Sequence, residues 1–247
     1  MSTSTLLDKL NEINESTTHS ISVPTAKKEF EFRGLNVNQQ KEIIKTAADG
    51  PSSGITLTNV LNEIIVSNAS ADYNFSIIDR YPIILALRSL FVDDVIKVAG
   101  NKLSIAKHLA TVTTNYNSLL DGLVLKDSIV VDGITVHIEV PSLNRDIKVN
   151  KAIERVNEVN TSIGDTIGNL YIYEIDKFIQ SIEFGDDTYN FADGMSASAK
   201  RSIIEAMPSS INKDIIDFIT KTRKIENYYL DTEFGSIEID AAFFTSE

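Results

Sequence analysis

Apolar and polar positions alternate along the chain with two periods, three-to-four and two, and the changes of period mark its elements. The most apolar segment with both a start and a stop signal is Phe75–Ile96, FSIIDRYPIILALRSLFVDDVI. Asp79 is placed to cap a helix there, and Pro82 falls in the first turn, where a missing N–H costs nothing. Ile83, Ile84, Leu87, Leu90 and Phe91 then recur at helical spacing until Asp93 and Asp94 close the run. So apolar a helix is a core helix, and Arg88 in its middle needs a carboxylate such as Asp79, or water.

Before it, Leu6, Leu7, Leu10 and Ile13 form a narrow stripe on a short amphipathic helix, followed by a polar hinge at Ser16–Ser20. The pattern leaves two readings level: the helix folds back on its own domain, or it is an arm for a partner. Ile21–Phe32 reads as extended, with Phe30 and Phe32 on one face. A helix starts near Asn36, with Gln39 closing a capping box, and stops at Gly50-Pro51; Ser52-Ser53-Gly54 is a loop. Another helix spans about Thr56–Ser67. Beyond the core helix, Gly100-Asn101 turns the chain and Ser104 caps a helix carrying Ile105, Leu109, Val112, Tyr116 and Leu119.

The period then drops to two. Asp132-Gly133 between Ile129–Val131 and Ile134–Val140 is the clearest hairpin signal in the chain, and it puts His137 on the solvent face. Pro141–Asp146 reads as a loop, Ile147–Val149 as a third short strand and Asn150–Asn160 as a polar helix. A helical stripe runs over Asn169–Phe184, ended by Gly185-Asp186-Asp187. Two further helices follow, one capped by Ser196 and stopped by Pro208, the next starting at Ser209 or Ser210. Two short β-runs, Asn227–Leu230 and Ser236–Ile239, precede Phe243-Phe244.

The expected fold class is α+β, mainly helical, with a central β-hairpin and short C-terminal strands. The expected segments are an arm over 1–20, a helical domain with a short extended run over 21–122, a hairpin region over 123–150 and a helical region ending in short strands over 151–247.

Composition narrows the function classes. A net charge of −12 leaves no basic surface for nucleic-acid phosphates or an anionic membrane. With no cysteine there is no disulfide, thiolate–zinc site or thiol nucleophile. No apolar run approaches the ~20 residues of a bilayer span, and the N-terminus lacks a secretory pattern, so a cytoplasmic protein is expected. His19, His108 and His137 are scattered, and no phosphate-loop, dinucleotide or nucleophile-elbow motif occurs. Asp93-Asp94 and Asp186-Asp187 lack the spacing of a cation loop and read as turns. No catalytic residue, cofactor or metal is expected. Phe243-Phe244 either tuck into their own core, which the preceding β-run favours, or anchor a partner.

Three segments carry a resemblance: Val23–Ala47, Phe75–Ile96 with Leu85, Arg88 and Ser89 at its centre, and Lys177–Ile219 followed by a strand and the terminal aromatic pair. In order and spacing the chain resembles the baseplate hub and hub-assembly proteins of T-even-type contractile-tailed bacteriophages. Some members carry paired cysteines near the middle hairpin or the C-terminus; here such a loop must be held by packing alone. The resemblance implies a non-enzymatic role as hub component or hub-assembly factor. Other tail and baseplate hub proteins would be its partners, in the host cytoplasm during assembly and then in the virion; oligomeric state stays open. Leu6, Leu7, Leu10, Ile13, Phe243 and Phe244 are the candidate partner-binding residues. Two alternatives remain: a hydrolase or transferase using Asp186, Asp187 and a histidine, and an acidic adaptor for a basic partner.

Overall fold

A computed structural model describes residues 3–48, 54–157 and 163–245. The expected stop at Gly50-Pro51, the loop residues Ser52 and Ser53, and residues 158–160 lie outside them. The fold is α+β and mainly helical, with small antiparallel sheets. The chain forms two compact units, residues 1–117 with 226–247, and residues 118–225. The C-terminal stretch thus returns to the first unit.

In the first unit, α1 (Thr3–Ser16) passes almost directly into strand β1 (Thr18–Val23), so the expected hinge at Ser16–Ser20 is mostly strand. The Ser16 and Thr17 hydroxyls donate to the Ile13 carbonyl and close the last turn of the helix. The extended run is a hairpin: β1 pairs antiparallel with β2 (Lys28–Arg33). Period two puts Phe30 and Phe32 on one face, both buried and both against Phe75, with ring centroids at 5.3 and 5.5 Å. Helix α2 (Val37–Ala48) opens on a reciprocal box: Gln39 N donates to Asn36 Oδ1 at 2.9 Å and Asn36 N to Gln39 Oε1 at 3.1 Å. Helix α3 (Gly54–Asn68) buries Val60, Leu61, Ile64 and Ile65.

The core helix α4 (Arg80–Phe91) buries Ile83, Ile84, Leu85 and Leu87, whereas Leu90, expected in its stripe, is exposed. Asp79 does not cap α4 with its side chain. It closes a capping box with Ser76 on the preceding 3-10 turn, Ile77–Asp79. After α4 comes a hairpin the periodicity does not announce, β3 (Val95–Val98) and β4 (Asn101–Ser104), turned at Ala99 and Gly100, both at positive φ. Asp94 ties it down, accepting from the Ser89 and Ser104 hydroxyls at 2.6 Å each and from Ala106 N at 2.8 Å. Burial pushes its carboxyl up, but these bonds and the Arg88 charge outweigh that and hold it below the usual range. Ser104 caps α5 (Ile105–Asp121) through Lys107 N.

In the second unit, β5 (Lys126–Val131) and β6 (Ile134–Glu139) form the expected two-residue hairpin, with Asp132 and Gly133 both at positive φ. Residues 143–157 form α6 (Leu143–Asn157), which replaces the expected loop and third strand; Ser142 caps it through Arg145 N. The third strand lies instead at β7 (Ile179–Phe184), in what was expected to be the end of a helix. Helix α7 (Ile163–Phe178) stops before it, and β8 (Asp187–Asn190) completes the sheet β5-β6-β7-β8.

The physical reason is Arg145. Its guanidinium donates to the carbonyls of Asp176 and Lys177, which the end of α7 leaves without helical partners, and to that of Ile179, the first residue of β7. Lys177 Nζ reaches Asp146 at 2.8 Å, and Lys200 Nζ reaches Asp176 at 3.3 Å. Helices α8 (Ala197–Ala206), capped by Ser196, and α9 (Ser209–Asn227) follow. Asn227–Leu230 is not a strand: α9 runs through Asn227 and a 3-10 turn follows. The short strands are β9 (Asp231–Thr232) and β10 (Gly235–Ser236).

Candidate functional site

The sequence places its partner-binding residues at the two ends of the chain, and the structure treats the ends differently. On α1, Leu6, Leu7, Leu10 and Ile13 are between 47% and 56% exposed. At about 1.5 Å per residue, its 14 residues extend some ~21 Å. A helix this short is marginal in water unless its apolar face is covered. Lys9 and Glu12, bonded at 2.8 Å, support it only from the polar side.

Phe243 and Phe244 are buried, at 5% and 2% exposed, which removes their rings from the candidate surface. They lie in a 3-10 turn whose Phe243 N donates to Asp240 Oδ1 at 2.9 Å. The Nε of Arg88 donates to the Phe243 carbonyl at 2.8 Å, and its guanidinium lies 5.6 Å from the Phe243 ring centroid. Arg88 therefore holds the C-terminal turn, and its charge also acts on the Asp94 carboxylate. Asp79, the partner expected for it, accepts instead from Thr25 N, the Thr25 hydroxyl and Ser76 N. Burial outweighs those bonds and pushes the Asp79 carboxyl up to about 6.

The histidines do not converge with the acidic pairs. His19 packs its ring edge-on to Phe91, and His108 is buried with Nε2 at 2.8 Å from the Tyr229 carbonyl. His137, expected on the solvent face, has Nδ1 at 2.9 Å from the Ser128 hydroxyl and Nε2 at 3.0 Å from Glu183. Serine, histidine and carboxylate thus stand in a chain across three strands. They stand on a sheet face where Ser128 and Glu183 are exposed and His137 is half-buried, and neither acidic pair joins them there. Asp186 and Asp187 are exposed at the β7–β8 turn, and among the described residues no three metal-ligating side chains cluster. Of two cavities in the first unit, one of about 440 Å³ is lined in part by Arg88 and Phe243 and one of about 630 Å³ in part by His108; neither is lined by Asp186 or Asp187.

The remaining buried charges are architectural. In the first unit Arg80 donates from Nε to Asn62 at 2.7 Å and ion-pairs with Glu226. In the second, the half-buried Arg223 holds Glu174, also half-buried, from Nε at 2.9 Å. These partners are far apart in sequence, and no local pattern announces them.

No helix among the described residues is long and apolar enough to cross a membrane. A family model described as T4 bacteriophage base plate protein matches residues 16–230. No curated protein and no solved structure gives a match.

Proposed function

The chain belongs to the family of the T4 bacteriophage base plate protein, and from that premise we propose that it builds the tail baseplate hub, as a component or as an assembly factor. It acts through protein–protein contacts and not through a reaction. Its partners are other tail and baseplate hub proteins, met in the host cytoplasm during assembly and then in the virion.

The observation that supports this reading is the stripe of Leu6, Leu7, Leu10 and Ile13, which the chain itself leaves open. Four apolar side chains at helical spacing suit an apolar surface of another protein. An apolar contact of this kind is nearly insensitive to salt, whereas a contact made by net charge weakens as salt rises.

The test is co-purification of the full chain with tail proteins at low and high salt, beside the double variant Leu7→Asp, Leu10→Asp. Tail proteins should be recovered with the native chain at both salt concentrations and lost with the variant. Recovery of this chain alone under every condition would sink the proposal, and recovery that fades with salt would favour the acidic-adaptor reading.

A further inference from the structure

The four-stranded sheet of the second unit has an apolar face that is covered at one end and open at the other. One cross-strand row, Ile129, Val136 and Ile182, is buried. Two residues along, on the same face, comes the row Val131, Ile134 and Phe184. There Val131 and Ile134 are only half-buried and Phe184 is 58% exposed. Tyr189 of β8, opposite Ile182, is 42% exposed and extends the open area to the sheet edge. An apolar face that continues a core and then meets water marks a contact surface.

Both tight turns of the sheet lie at this end, and they carry carboxylates. Asp132 sits in the β5–β6 turn, Asp186 in the β7–β8 turn and Asp187 directly opposite Phe184. All three are exposed, and among the described residues none is in an ion pair. Their turn role explains Asp132 and Asp186, which need only accept a tight backbone, but not the aromatic residues beside them.

We propose that this end of the sheet docks a basic amphipathic helix of a partner protein, apolar side on Val131, Ile134, Phe184 and Tyr189, with lysines or arginines meeting Asp132, Asp186 and Asp187. The dimensions agree: four strands at about 4.8 Å spacing span roughly 14 Å, and a helix with its side chains is about 10–12 Å across. Charge decides among the other occupants. Nucleic acid and anionic lipid bring phosphates to three carboxylates, and a second copy of this end brings three carboxylates more. The site lies wholly on the second unit and stands or falls independently of the hub reading.

The test measures binding of an amphipathic leucine–lysine peptide, and of its leucine–glutamate counterpart, to the full chain. Comparison variants are Phe184→Ser, the pair Asp186→Asn with Asp187→Asn, and a charge-matched control pair on the arm, Asp8→Asn with Glu15→Gln. The lysine peptide should bind about tenfold or more tighter than the glutamate peptide. Phe184→Ser, at unchanged net charge, and the Asp186/Asp187 pair should each lose most of that binding, and the control pair should keep it. Phe184 is exposed, so its replacement leaves the fold intact, which an unchanged thermal transition verifies. Equal binding of both peptides, native binding by Phe184→Ser, or an equal loss in the control pair would each overturn the site. A concentration-dependent dimer abolished by Phe184→Ser would overturn it in favour of a second copy.

Discussion

At the scale of the residue, Asp79 and Leu87 carry the sharpest expectations. Asp79 is fully buried, and its carboxyl is raised to about 6. A raised acid binds its proton more tightly in the folded state, so its contribution to stability is greatest at low pH and is lost as pH rises. The window runs from about pH 4 to 6, and the change amounts to at most about 3 kcal/mol. The stability of the native chain minus that of Asp79→Asn should therefore fall across this window in urea titrations at stepped pH. A difference that is flat or rising there would refute the burial-dominated account. Leu87 lies with no exposed surface on α4. Leu87→Ala should cost about 2–5 kcal/mol, and a loss below ~0.5 kcal/mol would mean that α4 is not the core helix.

At the scale of the element, the junction of α7 and β7 shows what a single side chain decides. Arg145 serves three carbonyls at the point where the helix gives way to the strand. Arg145→Met keeps the stem but leaves those carbonyls and Asp176 short of a donor. It should cost about 3–5 kcal/mol in chemical denaturation, whereas a change near zero would show that β7 sets the junction by itself. The same junction explains why this boundary was hidden in the sequence. Ile175, Phe178, Ile179 and Ile182 satisfy helical spacing beyond Phe178, and the arginine that ends the helix lies some thirty residues upstream. The β5–β6 hairpin, by contrast, was legible because Asp132-Gly133 and the alternation beside it are local. So was the box of Asn36 and Gln39. The α6 start had a local signal in Ser142, but the short apolar run Ile147–Val149 masked it. The β3–β4 hairpin is four residues a side, too short for its alternation to stand out. On the arm, the stripe was legible from spacing alone. The burial of Phe243 and Phe244 was the reading the preceding β-run favoured, but the arginine that holds them was hidden, because it sits 155 positions away. The arm's own test belongs here too: Leu7→Asp with Leu10→Asp should leave the melting temperature almost unchanged, since all four apolar side chains are exposed. A large drop would mean that α1 packs on its own unit.

At the scale of the whole molecule, the chain is an acidic α+β protein of two compact units with membership in a phage baseplate family. Buried charges such as Arg80 and Lys177 are paired within the fold, and the exposed apolar groups among the described residues include four on the N-terminal helix and Phe184 and Tyr189 at one end of the sheet. Hub assembly is its central claim, and one measurement addresses it most directly: mass spectrometry of purified mature particles beside tail-assembly intermediates. The chain should appear with the baseplate proteins. Presence in both samples identifies a structural hub component, and presence only in intermediates identifies an assembly factor. Absence from both would contradict the hub role.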